Sequence, residues 1–129
     1  MAEIDSWDLQ NRCARLLPSQ YPLMMLHSNP GEEHCFVDPS TGRFTGLIDF
    51  GDAYRSHPAL DVRSWRSLDD SRDLLGGYMR GEPLSESFVG VWRVALVLGE
   101  VRVATRAQRE ASAVRERIDM ILAGHFDPN

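Results

Sequence analysis

Lysine is missing from this chain of 129 residues: its 14 basic side chains are all arginines, set against 19 acidic ones. A net charge of −5 and the lack of any basic run exclude the positive surface that nucleic acids require. No apolar stretch is long enough to span a bilayer, and the first residues lack the charged and apolar regions of a secretory signal. We therefore expect a cytoplasmic protein that binds neither nucleic acid nor membrane.

Cysteine is also scarce, with only Cys13 and Cys35 in the chain. Their spacing is not that of a metal-binding C-x-x-C motif, and a cytoplasmic protein rarely forms a disulfide. The length suffices for one domain with one core. We interpret residues 1–129 as a single domain.

The chemistry of the chain is concentrated between Leu26 and Asp52. Two short apolar runs, Cys35 to Val37 and Phe44 to Phe50, are separated by DPSTG, in which proline and glycine favour a turn. The pattern predicts a β-hairpin. Because its strands are antiparallel, the residues before the first strand should meet those after the second, which brings the polar cluster of residues 27–34 to that of residues 49–52.

These residues carry a resemblance. HSNPGEEHCFVD from His27 and DPSTGRFTGLIDFGDA from Asp38 resemble the catalytic core of the aminoglycoside phosphotransferase and choline-kinase-like superfamily, a branch of the protein-kinase fold. There the first motif reads H-x-D, with Asn or His five residues later, and a following I-D-[FW] supplies a magnesium-binding Asp. The segment from Pro58 to Asp61 is similar to the family's D-P-x-x-D, in which the last Asp braces the catalytic loop. A plain helix-capping carboxylate is the other interpretation of Asp61.

Two departures from the family pattern stand out. Asn29 occupies the position of the family's catalytic Asp, and an amide cannot serve as the base. In the family a nucleotide-binding lobe precedes this loop, whereas His27 follows one short segment, and the chain has neither a glycine-rich phosphate loop nor a lysine. The resemblance therefore implies a truncated, kinase-like C-lobe remnant without the nucleotide-binding lobe. ATP is not its expected cofactor.

The predicted fold is α+β and mainly helical, with the site hairpin packed on about five helices. Apolar periodicity and capping residues predict a helix from Asp5 or Ser6 to Leu17 and a short strand over Leu23 to Leu26. A loop follows from Ala53 to Pro58. The remaining helices are expected to begin at Ala59 and to cover 68–78, interrupted by Gly76-Gly77, then 86–104 and 106–123, with Ala107 in the last.

Four residues are candidate catalytic groups. Asp49 ends an apolar strand, where partial desolvation would suit it to acid–base work, and Asp52 is near enough for two carboxylates to divide the roles of acid and base. Asn29 can orient a substrate by hydrogen bonding. His27 can act as an acid or base, or can hold the loop through hydrogen bonds. Further along, Arg55, Arg63, Arg66 and His57 can meet an anionic group or form surface pairs.

His34 and Asp49 form a candidate metal site. A nitrogen and a carboxylate suit zinc or a transition metal better than magnesium. Two ligands make a weak site, so Glu33, Asp52 or a partner chain would have to complete it. The alternative is a hydrogen bond between His34 and Asp49 with no metal.

Three functions follow from these observations. The first is a repurposed small-molecule enzyme that performs isomerisation, cyclisation or elimination, for example in natural-product metabolism. The second is a phosphotransferase completed by a separate nucleotide-binding chain, and the third is a non-catalytic pseudokinase that binds a ligand or partner. A hairpin without its covering lobe would expose apolar side chains, so we also expect a homo-oligomer, or a partner protein or substrate in that space.

Overall fold

The computed structural model describes residues 5–63, 65–107 and 110–128. Its α-helices are α1 (Ser6–Ala14), α2 (Leu68–Met79), α3 (Glu86–Ala107) and α4 (Ala111–Leu122). Its strands are β1 (Met24–Leu26), β2 (Cys35–Val37), β3 (Phe44–Leu47) and β4 (Tyr54–Ser56), and 3-10 turns cover Glu32–His34 and Pro58–Asp61. The architecture is α+β and mainly helical, as predicted, and none of the described helices is long and apolar enough to cross a membrane.

Local chemistry explains the hairpin of β2 and β3. The strands are antiparallel, with Cys35 opposite Leu47. In the turn, Asp38 Oδ1 accepts hydrogen bonds from the backbone N–H groups of Ser40 and Thr41 at 2.7 and 3.1 Å. Gly42 takes a φ of 70°, which favours glycine. The predicted turn is therefore confirmed.

The expected loop from Ala53 to Pro58 is wrong, because β4 lies inside it. β4 pairs antiparallel with β1, so that Leu26 is opposite Tyr54 and Met24 is opposite Ser56. This second sheet places the loop that begins at His27 beside the end of the hairpin. Leu26 is buried, and its strand contacts the 3-10 turn at Pro58.

Helix boundaries also differ from the predictions. α1 begins after Asp5, whose side chain caps it, and stops at Ala14, because the next residues bond as a tighter turn. α2 continues through Gly76 and Gly77 and ends at Met79, and the next residue, Arg80, caps it in a left-handed conformation with a φ of 53°. Ala107 ends α3 instead of starting the last helix.

The core lies among the helices. α3 is apolar nearly all round, and its Trp92 is fully buried, with the indole N–H donating to the carbonyl of Val62 at 2.9 Å. Gly90 lets the turn after α1 approach closely, since a Cβ there would lie 2.6 Å from the carbonyl oxygen of Leu16. The buried apolar cluster is drawn from residues 59–121.

The hairpin is not packed on helices in the way the sequence suggested. Phe36, Val37 and Phe44 are each about half exposed or more, because two strands of three and four residues extend beyond the surface that the helical core covers. We call residues 17–56 the hairpin region and residues 58–126 the helical region. Of the fifteen exposed large apolar side chains among the described residues, eleven lie between Leu17 and Tyr54.

Candidate functional site

The open end of the hairpin brings His34 and Asp49 together. His34 ends the 3-10 turn that leads into β2, and Ile48, just after β3, donates its N–H to the carbonyl of His34 at 3.0 Å. The next residue is Asp49, and its Oδ2 lies 3.3 Å from His34 Nε2. The two polar clusters predicted to meet do so through this pair.

The hydrogen bonds of His34 determine what its ring presents to Asp49. Nδ1 lies 2.8 Å from the carbonyl oxygen of Asn29, and a carbonyl can only accept, so Nδ1 carries a hydrogen. Nε2 therefore faces the carboxylate either with a lone pair or with a second proton. A lone pair and a carboxylate repel each other. The two atoms attract each other only when a hydrogen, or a metal ion, lies between Nε2 and Oδ2.

Asp49 is more open to solvent than the sequence suggested. Its side chain is 60% exposed, whereas that of His34 is 15% exposed, so the expected desolvation of Asp49 is absent. Its backbone is left-handed, with a φ of 67°. Ser28, on the facing loop, has a φ of 82°. Such conformations are costly for residues other than glycine and cluster at functional sites.

His27 is buried and holds the loop in place. The N–H of Asn29 donates to His27 Nδ1 at 3.2 Å, so the ring hydrogen is on Nε2, which donates to the carbonyl of Ile48 at 2.6 Å. The ring also packs edge-on against Phe50, with centroids 4.6 Å apart. Both ring nitrogens are thus bound to the backbone, and a proton transfer by His27 would break one of these bonds.

Asp61 braces the same loop. Its Oδ2 accepts from the N–H of His27 and its Oδ1 from the N–H of Ser28, both at 2.8 Å. The cap of the adjoining 3-10 turn is instead His57. The geometry is the bracing that the resemblance implied, rather than a helix cap.

Asn29 and Asp52 occupy different parts of the site. The backbone of Asn29 links two histidines, its N–H to His27 and its carbonyl to His34, while the residue itself is exposed. Asp52 is exposed in the turn after the hairpin. The ion pairs and hydrogen bonds found among residues 5–63, 65–107 and 110–128 do not include its side chain.

The donor set does not fit a magnesium ion. Mg²⁺ binds oxygen ligands in near-octahedral geometry, whereas the paired groups here are an imidazole nitrogen and one carboxylate. A catalytic zinc uses three protein ligands. Within the described parts of the chain, no group of three or more His, Cys, Asp or Glu side chains is arranged to hold a metal.

The other polar groups nearby are held in neutral form or in ion pairs. Burial, and then the charge of Glu33, raise the pKa of the Cys35 thiol, which favours the protonated, non-nucleophilic form. His57 is not the surface residue that either of its predicted roles, an anion contact or a surface pair, would require. It is buried, its Nδ1 accepts from the N–H of Ala59 at 3.1 Å, and burial lowers its pKa.

Arg66 links the site loop to the helical region. Its Nε lies 3.3 Å from Glu32 and 3.4 Å from Asp70, so it joins the turn that ends at His34 to the first turn of α2. The sequence contains the signal for the second contact, since Arg66 and Asp70 are four residues apart. The contact with Glu32 joins distant parts of the chain and has no local signal.

Comparison with known proteins identifies the family of the chain. No curated protein and no solved structure gives a significant match. A sequence model of the phosphotransferase enzyme family matches residues 2–87, which include every candidate residue from His27 to Asp61 and exclude nearly all of α3 and the whole of α4. The match covers more than half of the chain and confirms the resemblance in its motifs. The chain therefore belongs to the phosphotransferase enzyme family.

Proposed function

We propose that this chain is a small-molecule enzyme that uses the phosphotransferase-family scaffold for acid–base chemistry instead of phosphoryl transfer. The observation that carries the proposal is the His34–Asp49 pair, 3.3 Å apart, with the His34 tautomer fixed by the carbonyl of Asn29. In this role the exposed Asp49 is the group that meets the substrate. His34 orients the Asp49 carboxylate.

The proposed reaction begins with proton removal. Asp49 projects from the end of the hairpin with 60% of its side chain accessible, so a substrate C–H or O–H can reach a carboxylate oxygen. In this proposal His34, 3.3 Å away, orients the carboxylate, and the exposed Asn29 orients a carbonyl or hydroxyl of the substrate. The protonated Asp49 then returns the proton to the substrate or passes it through water to the carboxylate of Asp52, which directly follows Gly51 in the turn after Asp49.

Isomerisation, cyclisation and elimination share this first step. Each starts with removal of a proton next to a carbonyl or from a hydroxyl group, and a positioned carboxylate accelerates such transfers by about a hundredfold to ten-thousandfold. Phosphoryl transfer is less well supported by the residues present. Asn29 cannot accept the proton of an attacking hydroxyl, and the His34–Asp49 donor set does not suit magnesium.

Deuterium exchange tests the proposal across many compounds at once. The protein is incubated in D₂O with a library of small carbonyl and hydroxyl compounds, and mass spectrometry identifies compounds that gain deuterium or change structure. We expect turnover that Asp49→Asn abolishes and that Asp52→Asn and Asn29→Ala reduce. Asp69→Asn, which changes an exposed acid on α2, is the matched control and should leave turnover unchanged.

Stability measurements distinguish a lost reaction from a lost fold. Asp49→Asn should keep the free energy of unfolding within about 0.5 kcal/mol of the wild-type value, because the side chain is exposed and Asn tolerates a left-handed backbone. If Asp49→Asn turns over the same compounds at the wild-type rate, Asp49 is not the base and the proposal fails.

A transition metal is the alternative positive charge between His34 and Asp49. Its remaining ligands would have to come from water, substrate, Glu33 or a second copy of the chain. Native mass spectrometry of the purified protein tests whether a metal ion or a proton lies between the two side chains. A bound metal that is lost in His34→Gln would identify a metal centre. Turnover that continues without metal would show that a proton is sufficient.

A phosphotransferase completed by a separate nucleotide-binding chain is the second candidate. The exposed apolar side chains of the hairpin region favour it, because a partner chain would cover them. Its test is thermal unfolding with nucleotide and magnesium, since a ligand at a hundred times its Kd stabilises a protein by about 2.7 kcal/mol. A non-catalytic binding protein would show neither turnover nor any effect of Asp49→Asn on its complexes.

The same exposed side chains lead us to propose that the chain forms a homo-oligomer through the hairpin region. A second copy would remove these apolar groups from water at a contact that adjoins His34 and Asp49. Met25 and Phe44 are the most exposed of them.

A further inference from the structure

A cavity of about 370 Å³ lies between the start of α2 and the middle of α3. Trp65 forms one wall, and its backbone N–H donates to Ser71 Oγ of α2 at 3.1 Å. Ser71 is buried, and its hydroxyl donates in turn to the carbonyl of Ser67 at 2.9 Å. The cavity is within the range of about 300–1,000 Å³ that is typical of small-molecule sites.

Part of the cavity lining is apolar. Ala95 and Leu96 are buried on α3 and form part of its lining. Leu98 and Val103, also in the lining, are 59% and 42% exposed, although most large apolar side chains of the helical region are covered. A ligand with an apolar body would remove these side chains from water.

The charged groups of the lining are mostly cationic. Arg63, Arg66 and Arg102 line the cavity together with a single acid, Glu100. Glu100 is already paired with Arg117 at 2.7 Å, and Arg66 with Glu32 and Asp70. The ion pairs of the described residues do not include Arg63 or Arg102. In a chain with a net charge of −5, this cavity is a local region of positive charge.

We propose that this cavity binds an organic anion, a phosphate monoester or carboxylate with an apolar body. Its anionic group pairs with Arg63 and Arg102, whose guanidinium groups match the geometry of both anions. Its apolar part packs against Trp65 and Leu96. The site is independent of the proposed acid–base chemistry, but Arg66 connects it to Glu32 and so to the turn that ends at His34.

Calorimetry with four naphthalene derivatives tests the charge preference. Naphthyl phosphate and naphthoate should bind, and the tighter of the two identifies the anionic group. Naphthol, which is neutral, and naphthylmethylamine, which is cationic, should bind at least about tenfold more weakly, because they form no charge-assisted bond with the arginines. Equal binding of the anionic and cationic compounds would overturn the proposal.

Arginine variants locate the contact. Arg63→Gln and Arg102→Gln should each weaken binding of naphthyl phosphate by about tenfold or more. Arg106→Gln is the matched control, because Arg106 is an exposed arginine one turn further along α3 and does not line the cavity. It should change the affinity by less than about twofold. Equal losses in all three variants would show a general charge effect and contradict the site.

Gly99 allows the cavity to be filled without disturbing the fold. It lies in the lining, and an added Cβ would meet no neighbouring atom within 4 Å. Gly99→Leu should abolish binding of naphthyl phosphate, while Gly99→Ala should retain it, and both should raise the melting temperature because they favour the helix. Wild-type affinity in Gly99→Leu would place the ligand elsewhere, for example on the hairpin region, and would refute the proposal.

Discussion

The hairpin region and the helical region differ in what their apolar residues do. In the helical region they form the buried cluster around Trp92, whereas between Leu17 and Tyr54 eleven large apolar side chains remain exposed. The hairpin region nevertheless carries His34, Asp49 and Ser28, and the last two have left-handed backbones. Stability and candidate chemistry therefore reside in different parts of the chain. Substitutions in the two regions should have separable effects.

The largest expected effect is on the core. Trp92→Ala should lower the free energy of unfolding by about 3–5 kcal/mol, because it removes a fully buried indole and leaves the carbonyl of Val62 without its donor. Urea denaturation followed by circular dichroism measures the change. Trp7→Ala, at a residue that is 72% exposed, is the control and should cost less than about 0.5 kcal/mol. Equal losses from both would contradict the assignment of the core.

Asp61 connects the two regions, and its removal should have the next largest effect. Asp61→Ala leaves the N–H groups of His27 and Ser28 without their acceptor, at an expected cost of about 1.5–3 kcal/mol. Asp61→Asn, which keeps one oxygen acceptor, should cost less. In Asp61→Ala, hydrogen exchange should become faster than in the wild type at the amides of His27 and Ser28 and should stay unchanged in α3. Uniformly faster exchange throughout the chain would indicate that Asp61 stabilises the whole fold and not this loop.

Much of the hairpin region could be predicted from the sequence because its signals are local. The DPSTG turn fixes the pairing of β2 and β3, and that pairing brings His34 to Asp49. β4 could not be predicted, because a strand as short as Tyr54–Ser56 carries little pattern and its partner strand, β1, lies far earlier in the chain. Residues 105–110, TRAQRE, contain neither glycine nor proline, so the sequence likewise gives no signal for where α3 ends.

The roles of the histidines could not be predicted in detail for a related reason. Which ring nitrogen carries the hydrogen is decided by backbone groups, such as the carbonyls of Asn29 and Ile48, whose positions depend on the fold. Sequence motifs identify a histidine but not its partners. This is why His57, expected to meet an anion or to form a surface pair, is instead a buried cap.

Self-association should depend on the hairpin region and not on the helical region. Met25→Thr and Phe44→Thr change side chains that are 69% and 66% exposed, so each should alter monomer stability by less than about 1 kcal/mol while weakening self-association. Light scattering coupled to size-exclusion chromatography reports the mass. Leu98→Gln changes a similarly exposed residue of the helical region and should leave the mass unchanged. A monomeric wild-type protein would rule out the proposed homo-oligomer.

The smallest expected effect is the pH dependence contributed by His57, which lies between the two regions. Burial lowers its folded-state pKa below the ordinary value of 6.5, so the unfolded chain binds the proton more readily. The stability that neutral His57 contributes is complete above that value and is lost as the pH falls through the lowered pKa. His57→Asn keeps a capping oxygen for the N–H of Ala59 but cannot titrate in this range. The variant should be less stable at neutral pH, because it loses the aromatic contacts with Tyr21 and Phe88. Its free energy of unfolding should nevertheless fall less than that of the wild type when the pH is lowered from about 7.5 to about 5.5. Identical slopes in urea denaturation would show that another group controls stability in this range.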